Sequence, residues 1–355
     1  MLDKKMFFIG LFFTLIFTFV LFNFFIDLSE LINVLSNVNI FYVLVSLGFY
    51  LLSLYFRSKR WVYLLKDQIT NSSRSVLPVV IFGYMANNLI PVRIGEFLRS
   101  YYLAIRENIS TSFVFGTIII ERLMDVIALI IFFSIGALVG SFFNSSDFDD
   151  FSNTIPGGKI SIIFLSLFPF IFLAVIIIIY NKLSNDRIKH VLDKLLFFTS
   201  NKIKFSISNK LIMLLEGVTT ILERNTFIYT LLFSIIIWAC EAIMYYIISL
   251  GLRLDTFFDS GLEHISIIIV FTSVVNLAGI IPSTAGSWGP FDFFGSITLI
   301  TLGVSNEVAV AYSLLVHLAL WLPPTLLGFV IIILDQKTIK KVIQNFKSRK
   351  INYVE

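Results

Sequence analysis

Charge is scarce in this chain. Asp, Glu, Lys and Arg make up 14% of the 355 residues, whereas 57% are hydrophobic and mean hydropathy is +0.90. A soluble domain keeps roughly a quarter of its residues charged to cover its surface, so water is the wrong solvent for most of this one. Cysteine is scarcer still: Cys240 stands alone, which excludes an intrachain disulfide scaffold. There is no G-x-x-x-x-G-K-[S/T] loop, hence no ATP motor within the chain. There is no HExxH, and three scattered histidines with one cysteine form no metal constellation, so neither metal nor cofactor is expected. The acidic run Asp147–Asp150 falls in a predicted outer link and reads as a solvated turn.

What is present is aromatic and apolar. Aromatic residues reach 16%, which excludes disorder. The apolar runs are too long and unbroken for a β-barrel, whose strands alternate over about ten residues. The chain therefore reads as an all-α polytopic membrane protein. Crossing a bilayer takes about 20 apolar residues. Full spans are predicted at Met6–Phe25, Ile40–Phe56, Ser112–Gly140, Ile160–Tyr180, Thr226–Leu250 and Val308–Leu334. The second ends in Arg57, Lys59, Arg60 and Trp61, which read as a basic-aromatic anchor at headgroup level. Two shorter stretches, Val76–Ile90 and His264–Ile281, stop at Pro91 and Pro282 and read as broken, re-entrant helices. Such backbone is tolerated at membrane depth only where protein or a wet cavity satisfies it.

With six spans, two re-entrant hairpins and the N-terminus inside, the inner segments hold 21 of the 27 basic residues. The outer links hold only Lys159 and Arg253, against nine carboxylates, which is the positive-inside bias. Both termini are thus expected on the cytoplasmic side of the cell membrane. Residues 1–335 form a single transmembrane domain, with a first half 1–180 (hairpin 76–111) and a second half 226–335 (hairpin 264–302). An amphipathic basic segment, 181–225, joins them, and a basic tail, 336–355, follows. Each hairpin places asparagine ahead of a proline and a glycine four residues after it: Pro91 with Gly95, Pro282 with Gly286. One hairpin enters from each side, so the halves form an inverted repeat. Such paired Gly/Pro interruptions point to a transporter's midplane site.

Six charges remain unexplained by topology: Arg93, Glu96 and Arg99 at the first break, and Glu121, Arg122 and Asp125 within the next span. Each costs about 2.5–3.5 kcal/mol at the centre of a membrane helix, so they must face one another or a cavity. Two readings stand. One is a polar chamber in which arginine forks hold an anionic group; the other is a buried ion-pair network that fixes helix register. Six charges beside a proline break favour the chamber. In the second half, Ser283, Gly286 and Gly289 shape a turn whose N–H groups can cradle an anion or simply join two half-helices. Glu241 is a lone intramembrane carboxylate awaiting a partner. It is grouped with Asp292 and His317 as a candidate for proton or polar coupling, although His317 also fits a satisfied packing role.

Three blocks carry a resemblance: NNLIPVRIGEFLR (Asn87–Arg99), IIIERLMDVIAL (Ile118–Leu129) and IIPSTAGSWGPFD (Ile280–Asp292). In this order they resemble the flippase-like, lysylphosphatidylglycerol-synthase transmembrane-domain family, over about residues 5–335. Ser287, Trp288 and the Pro290–Asp292 stretch depart from the family's usual second hairpin, with Asp292 near the position of its customary glutamate. The resemblance implies movement of an anionic or aminoacylated phospholipid, or of a polyprenyl-linked carrier, between leaflets. Some relatives carry a cytosolic aminoacyl-transferase domain. The 21 residues after Leu334 have no room for one, so a separate lipid-synthesising enzyme is the expected source of substrate.

The reading is a lipid translocase, with Arg93, Arg99 and Arg122 on phosphate and Glu96, Glu121 and Asp125 holding them. Asn88, Gly286 and Gly289 line the path, and transport is downhill or ion-coupled. The rivals are a membrane-embedded lipid-modifying transferase using paired carboxylates, an ion-coupled carrier of a small solute, and a structural partner for a lipid synthase. Homo-oligomers are compatible with the sequence. Nucleic acid is not an expected partner, because charge placement already follows topology.

Overall fold

The computed structural model describes residues 4–24, 27–65, 68–69, 73–90, 94–143, 220–222, 224–279 and 285–351, with isolated positions at 171, 174, 209, 212–214 and 281. The predicted span Ile160–Tyr180, most of the segment 181–225 and the Asp147–Asp150 run lie outside the described residues, as do Arg93 and Ser283.

The first half contains α1 (Lys4–Phe24), α2 (Leu28–Ser36), α3 (Ile40–Leu65), α4 (Ser73–Leu89), α5 (Gly95–Glu107) and α6 (Thr111–Phe143). The second contains α7 (Arg224–Gly251), α8 (Gly261–Ala278), α9 (Pro290–Thr301), α10 (Asn306–Leu334) and α11 (Gln336–Ile351). No strand occurs among the described residues. Among the described residues, five helices are long and apolar enough to cross a membrane: α3, α6, α7, α8 and α10. The chain is an all-α, multi-pass membrane protein.

Two predicted boundaries are corrected. The helix starting at Ile40 does not end at Phe56 but runs on to Leu65. Nothing in Arg57–Leu65 breaks a helix, and its charges find partners inside the protein rather than at headgroup level. Arg60 and Trp61 are fully buried and Arg57 nearly so, while Lys59 lies over the ring of Tyr55. The arm read as His264–Ile281 starts earlier, at Gly261, because the Ser260 hydroxyl accepts the Glu263 N–H and caps it. At 18 residues α8 is then long enough to cross.

Both proline breaks make hairpins. α4 stops two residues before Pro91, as helices do ahead of proline, and α5 packs back along it. The arms cross at Gly95 and Gly83, where a Cβ on Gly95 would collide with the Gly83 carbonyl and the Asn87 side chain. α8 and α9 form the second hairpin. Its turn passes through Gly286 at φ +77° and Gly289 at φ +95°, and Pro290 opens α9 at a position where no amide is needed.

The packing pairs exchange when the halves are swapped. α3 packs on α7; α6 packs on α8 as α10 packs on α4; α5 meets α6 as α9 meets α10. The pairs among α3–α6 and α7–α10 are thus the same when the two sets are exchanged. This packing brings the described residues on either side of the two breaks, Asn88 and Glu96 of the first and Gly279 and Gly286 of the second, around one cavity.

Candidate functional site

α3 presents Arg57 and Arg60 three residues apart on one face, towards α6 and α7. Arg57 Nη2 lies 2.6 Å from Glu241 Oε1 on α7, and Ser53 donates to the same oxygen at 3.2 Å. Arg60 Nη1 reaches Asp125 Oδ1 at 2.5 Å and Ser234 Oγ at 2.7 Å, and its Nη2 lies 3.4 Å from Glu121 Oε1. Arg99 of α5 binds the other oxygen, Glu121 Oε2, at 2.6 Å and stacks over Trp61 at 4.8 Å. These short contacts bind four helices together. Glu241, a lone carboxylate in the sequence, has Arg57 for its partner.

A second set of contacts is longer. Arg57 Nη1 stands 3.7 Å from Asp125 Oδ2, Arg122 Nη1 stands 3.6 Å from the same oxygen, and Arg122 Nε stands 3.5 Å from Glu96 Oε1. They border a cavity of about 430 Å³ in the middle of the bundle. Its wall combines these ionic groups with Tyr50, Tyr84, Asn87, Asn88, Trp238 and Asn276, with Gly286 and Ser287 of the second turn, and with His317 and Trp321 of α10. Among the described residues, Arg57 Nη1 and Nε, Arg122 Nε, Tyr84 OH, Asn87 Oδ1 and Trp238 Nε1 are buried without a hydrogen-bond partner. Buried polar groups are normally satisfied, so this concentration around one cavity calls for an explanation.

The two breaks meet here. Asn88 Nδ2 donates to the Trp321 carbonyl at 2.9 Å and to Thr325 Oγ1 at 3.0 Å, and Trp321 Nε1 returns a bond to the Asn88 carbonyl at 3.3 Å. This ties the first hairpin to α10 beside Pro323 and Pro324, whose missing amides interrupt the helix ladder. On the other side, His317 Nδ1 lies 2.8 Å from Asp292 Oδ1, and its Nε2 lies 2.7 Å from the Gly286 carbonyl. Trp288 stacks on the imidazole at 4.1 Å, and Asp292 Oδ2 accepts the Gly289 N–H at 3.1 Å.

Of the residues expected at a site, Asn88, Glu96, Arg122, Asp125, Glu241, Gly286 and His317 line the cavity. Arg99 and Glu121 are buried beside it, committed to one another, and Asp292 sits behind His317. Gly289 packs against Thr14 of α1. Arg57, Tyr84, Trp238 and Asn276 were not anticipated. The signal for Arg57 and Arg60 was their three-residue spacing next to an apolar run; Tyr84 and Trp238 left none.

A bundle of apolar helices around a buried ionic cavity, built from two interlocked hairpin halves, defines a membrane-embedded protein with an intramembrane polar site. Residues 7–328 match the model of the lysylphosphatidylglycerol synthase TM region, and the chain belongs to that family. It is 24% identical over 323 residues to the UPF0104 membrane protein MJ1595 of Methanocaldococcus jannaschii, covering 89% of this chain and 91% of that one. It is 25% identical over 331 residues to the UPF0104 membrane protein PH1989 of Pyrococcus horikoshii, covering 87% and 92%.

Proposed function

We propose that this protein moves a phosphate-bearing lipid, a phospholipid or a polyprenyl-linked carrier, between the leaflets of the cell membrane, with both termini cytoplasmic. The headgroup crosses through the cavity while the hydrocarbon chains stay in the bilayer. One observation carries this reading: N–H groups of Arg57 and Arg122 that make no hydrogen bond, together with Tyr84 OH and Trp238 Nε1, belong to residues lining one cavity shared by both hairpins. A phosphate oxygen accepts from each of these donors, and guanidinium planes match it bidentately.

Distances separate the structural contacts from the exchangeable ones. Arg60–Asp125, Arg57–Glu241 and Arg99–Glu121, at 2.5–2.6 Å, hold the helices. The 3.5–3.7 Å contacts of Arg122 and of Arg57 Nη1 lose little when a phosphate replaces a carboxylate. Membership of the family supports a membrane role of this kind.

The test is reconstitution into phosphatidylcholine liposomes containing tail-labelled fluorescent lipids of several headgroups, read by a quencher added outside. Wild type moves phosphate-bearing lipids well above the protein-free rate. Arg122→Gln, whose side chain is partly exposed and outside the short pairs, slows them about tenfold or more, the loss of one charged hydrogen-bonding partner at roughly 1.4 kcal/mol per decade. Wild type moving every headgroup at the protein-free rate refutes the proposal.

A further inference from the structure

The Asp292–His317 contact fixes a proton count. The Gly286 carbonyl has no proton to give, so at 2.7 Å His317 Nε2 must carry one and donate it. The 2.8 Å contact between Nδ1 and Asp292 Oδ1 needs a second proton between two atoms that otherwise oppose lone pairs. Imidazole and carboxyl together therefore hold two protons and are neutral as a pair. The surroundings suit that state. Asp292 lies in the first turn of α9, where the helix dipole favours a carboxylate, and the face of Trp288 lies against the imidazole, where a cation is attracted.

Loss of one proton breaks one of the two contacts. If Nε2–H is kept, the Nδ1 lone pair faces the carboxylate; if the remaining proton moves to Nδ1, a lone pair faces the Gly286 carbonyl. Gly286 and Ser287 bring the turn of the second hairpin into the cavity wall, and Ser287 is itself held at φ +64°. Either loss removes one of the two bonds through which His317 of α10 holds the second hairpin, at the Gly286 turn or at Asp292.

The first half has a fixed counterpart. Arg99 near the start of α5 and Glu121, about a third of the way along α6, join the second hairpin arm to the next long helix. Asp292 near the start of α9 and His317, about two-fifths of the way along α10, join the corresponding elements in the other half. Arginine does not release its proton, whereas an imidazole can hold one proton or two. The ionisable groups sharing the cavity with His317 are Tyr50 and Arg57 of α3, Tyr84 of α4, Glu96 of α5, Arg122 and Asp125 of α6 and Glu241 of α7. Among the described residues α1, α2 and α8 add none to it: Glu263 and His264 of α8 bond at its far end, to the Asp259 amide and to Ser249, and Glu307 lies in the first turn of α10.

We infer that Asp292 and His317 form a proton-binding site whose occupancy fastens the Gly286 turn to α10 and so couples proton movement to lipid movement. The proton enters and leaves through the cavity that His317 lines. The coupling rests on the translocase reading; the proton site does not, and the two are tested separately.

For the site, the protein is labelled with ¹⁵N-histidine in lipid nanodiscs, and His317→Gln assigns the signal among the three histidines. His317 shows both ring nitrogens protonated and loses one proton as the pH is raised, and Asp292→Asn, which keeps an acceptor for the Gly289 amide, removes the doubly protonated form. A single protonated nitrogen on His317 at every pH at which the protein is folded overturns the inference. For the coupling, phosphatidylcholine liposomes carrying tail-labelled phosphatidylglycerol are assayed with and without a pH gradient. The ratio of the two rates is severalfold in wild type and unity in His317→Gln and in Asp292→Asn. A wild-type ratio of unity while lipid moves, or an undiminished ratio in the variants, overturns the coupling. Absence of lipid movement in every preparation instead refutes the translocase reading, and the nitrogen signals then decide the proton site.

Discussion

A guanidinium deep in an apolar bundle is stable only while its carboxylate is present. The desolvation cost of two buried ions nearly cancels their attraction, so such a pair adds little over an apolar one, but removing one partner strands a charge. Arg57 and Glu241, at 2.6 Å and both almost fully buried, meet that description. Arg57→Met and Glu241→Met are each expected to destabilise the protein by about 3–5 kcal/mol. The double variant should recover most of that loss, as read from thermal unfolding in detergent. Additive losses would mean that the two side chains act independently. At this scale the sequence was partly readable. Glu121, Arg122 and Asp125 stand inside an apolar run, and their cost alone announces a site. Arg57 and Arg60 were masked by their neighbours, because a basic-aromatic run at the end of an apolar stretch looks the same whether it meets lipid headgroups or turns inward. Trp238 and Tyr84 are ordinary residues for a membrane helix, and only the fold shows that their polar atoms face a cavity.

At the scale of elements, the proline breaks were readable because proline and glycine act on the backbone locally. The α3 boundary was not, since it depends on partners far along the chain. The junction of α10 and α11 provides a test outside the spans. Asp335 caps α10 and its Oδ2 accepts the Tyr102 hydroxyl of α5 at 2.7 Å. Partial burial pushes its carboxyl upward, but hydrogen bonds from Thr338 and Tyr102 and the charge of Arg106 outweigh this and hold it below the usual carboxylate range. A depressed carboxyl stabilises the folded contact above its unfolded pKa and loses that contribution as the pH falls through the folded one. Amide exchange in the first turns of α11 should therefore quicken, after correction for intrinsic rates, as the pH drops below the normal carboxylate range. Asp335→Asn should flatten that dependence. Equal pH dependence in both would show that the carboxylate does not hold the junction.

At the scale of the molecule, the swapped packing of α6 on α8 and of α10 on α4 places each half's long helix against the other half's hairpin. The sequence carried the repeat only as proline–glycine spacing, because these pairings join segments more than a hundred residues apart and leave no local pattern. The result is one cavity with a wall from each half, into which the proposed phosphate-bearing headgroup enters. The most direct measurement places a photo-crosslinking phenylalanine at Trp238, inside the cavity, and at Leu232, exposed on the same helix. Adducts are then weighed by mass spectrometry after illumination in membranes containing phosphatidylglycerol. Phospholipid adducts are expected at Trp238 and fall sharply when Arg122→Gln is added, while those at Leu232 do not change. Adducts at Leu232 alone, or adducts at Trp238 indifferent to Arg122, would contradict entry of the headgroup.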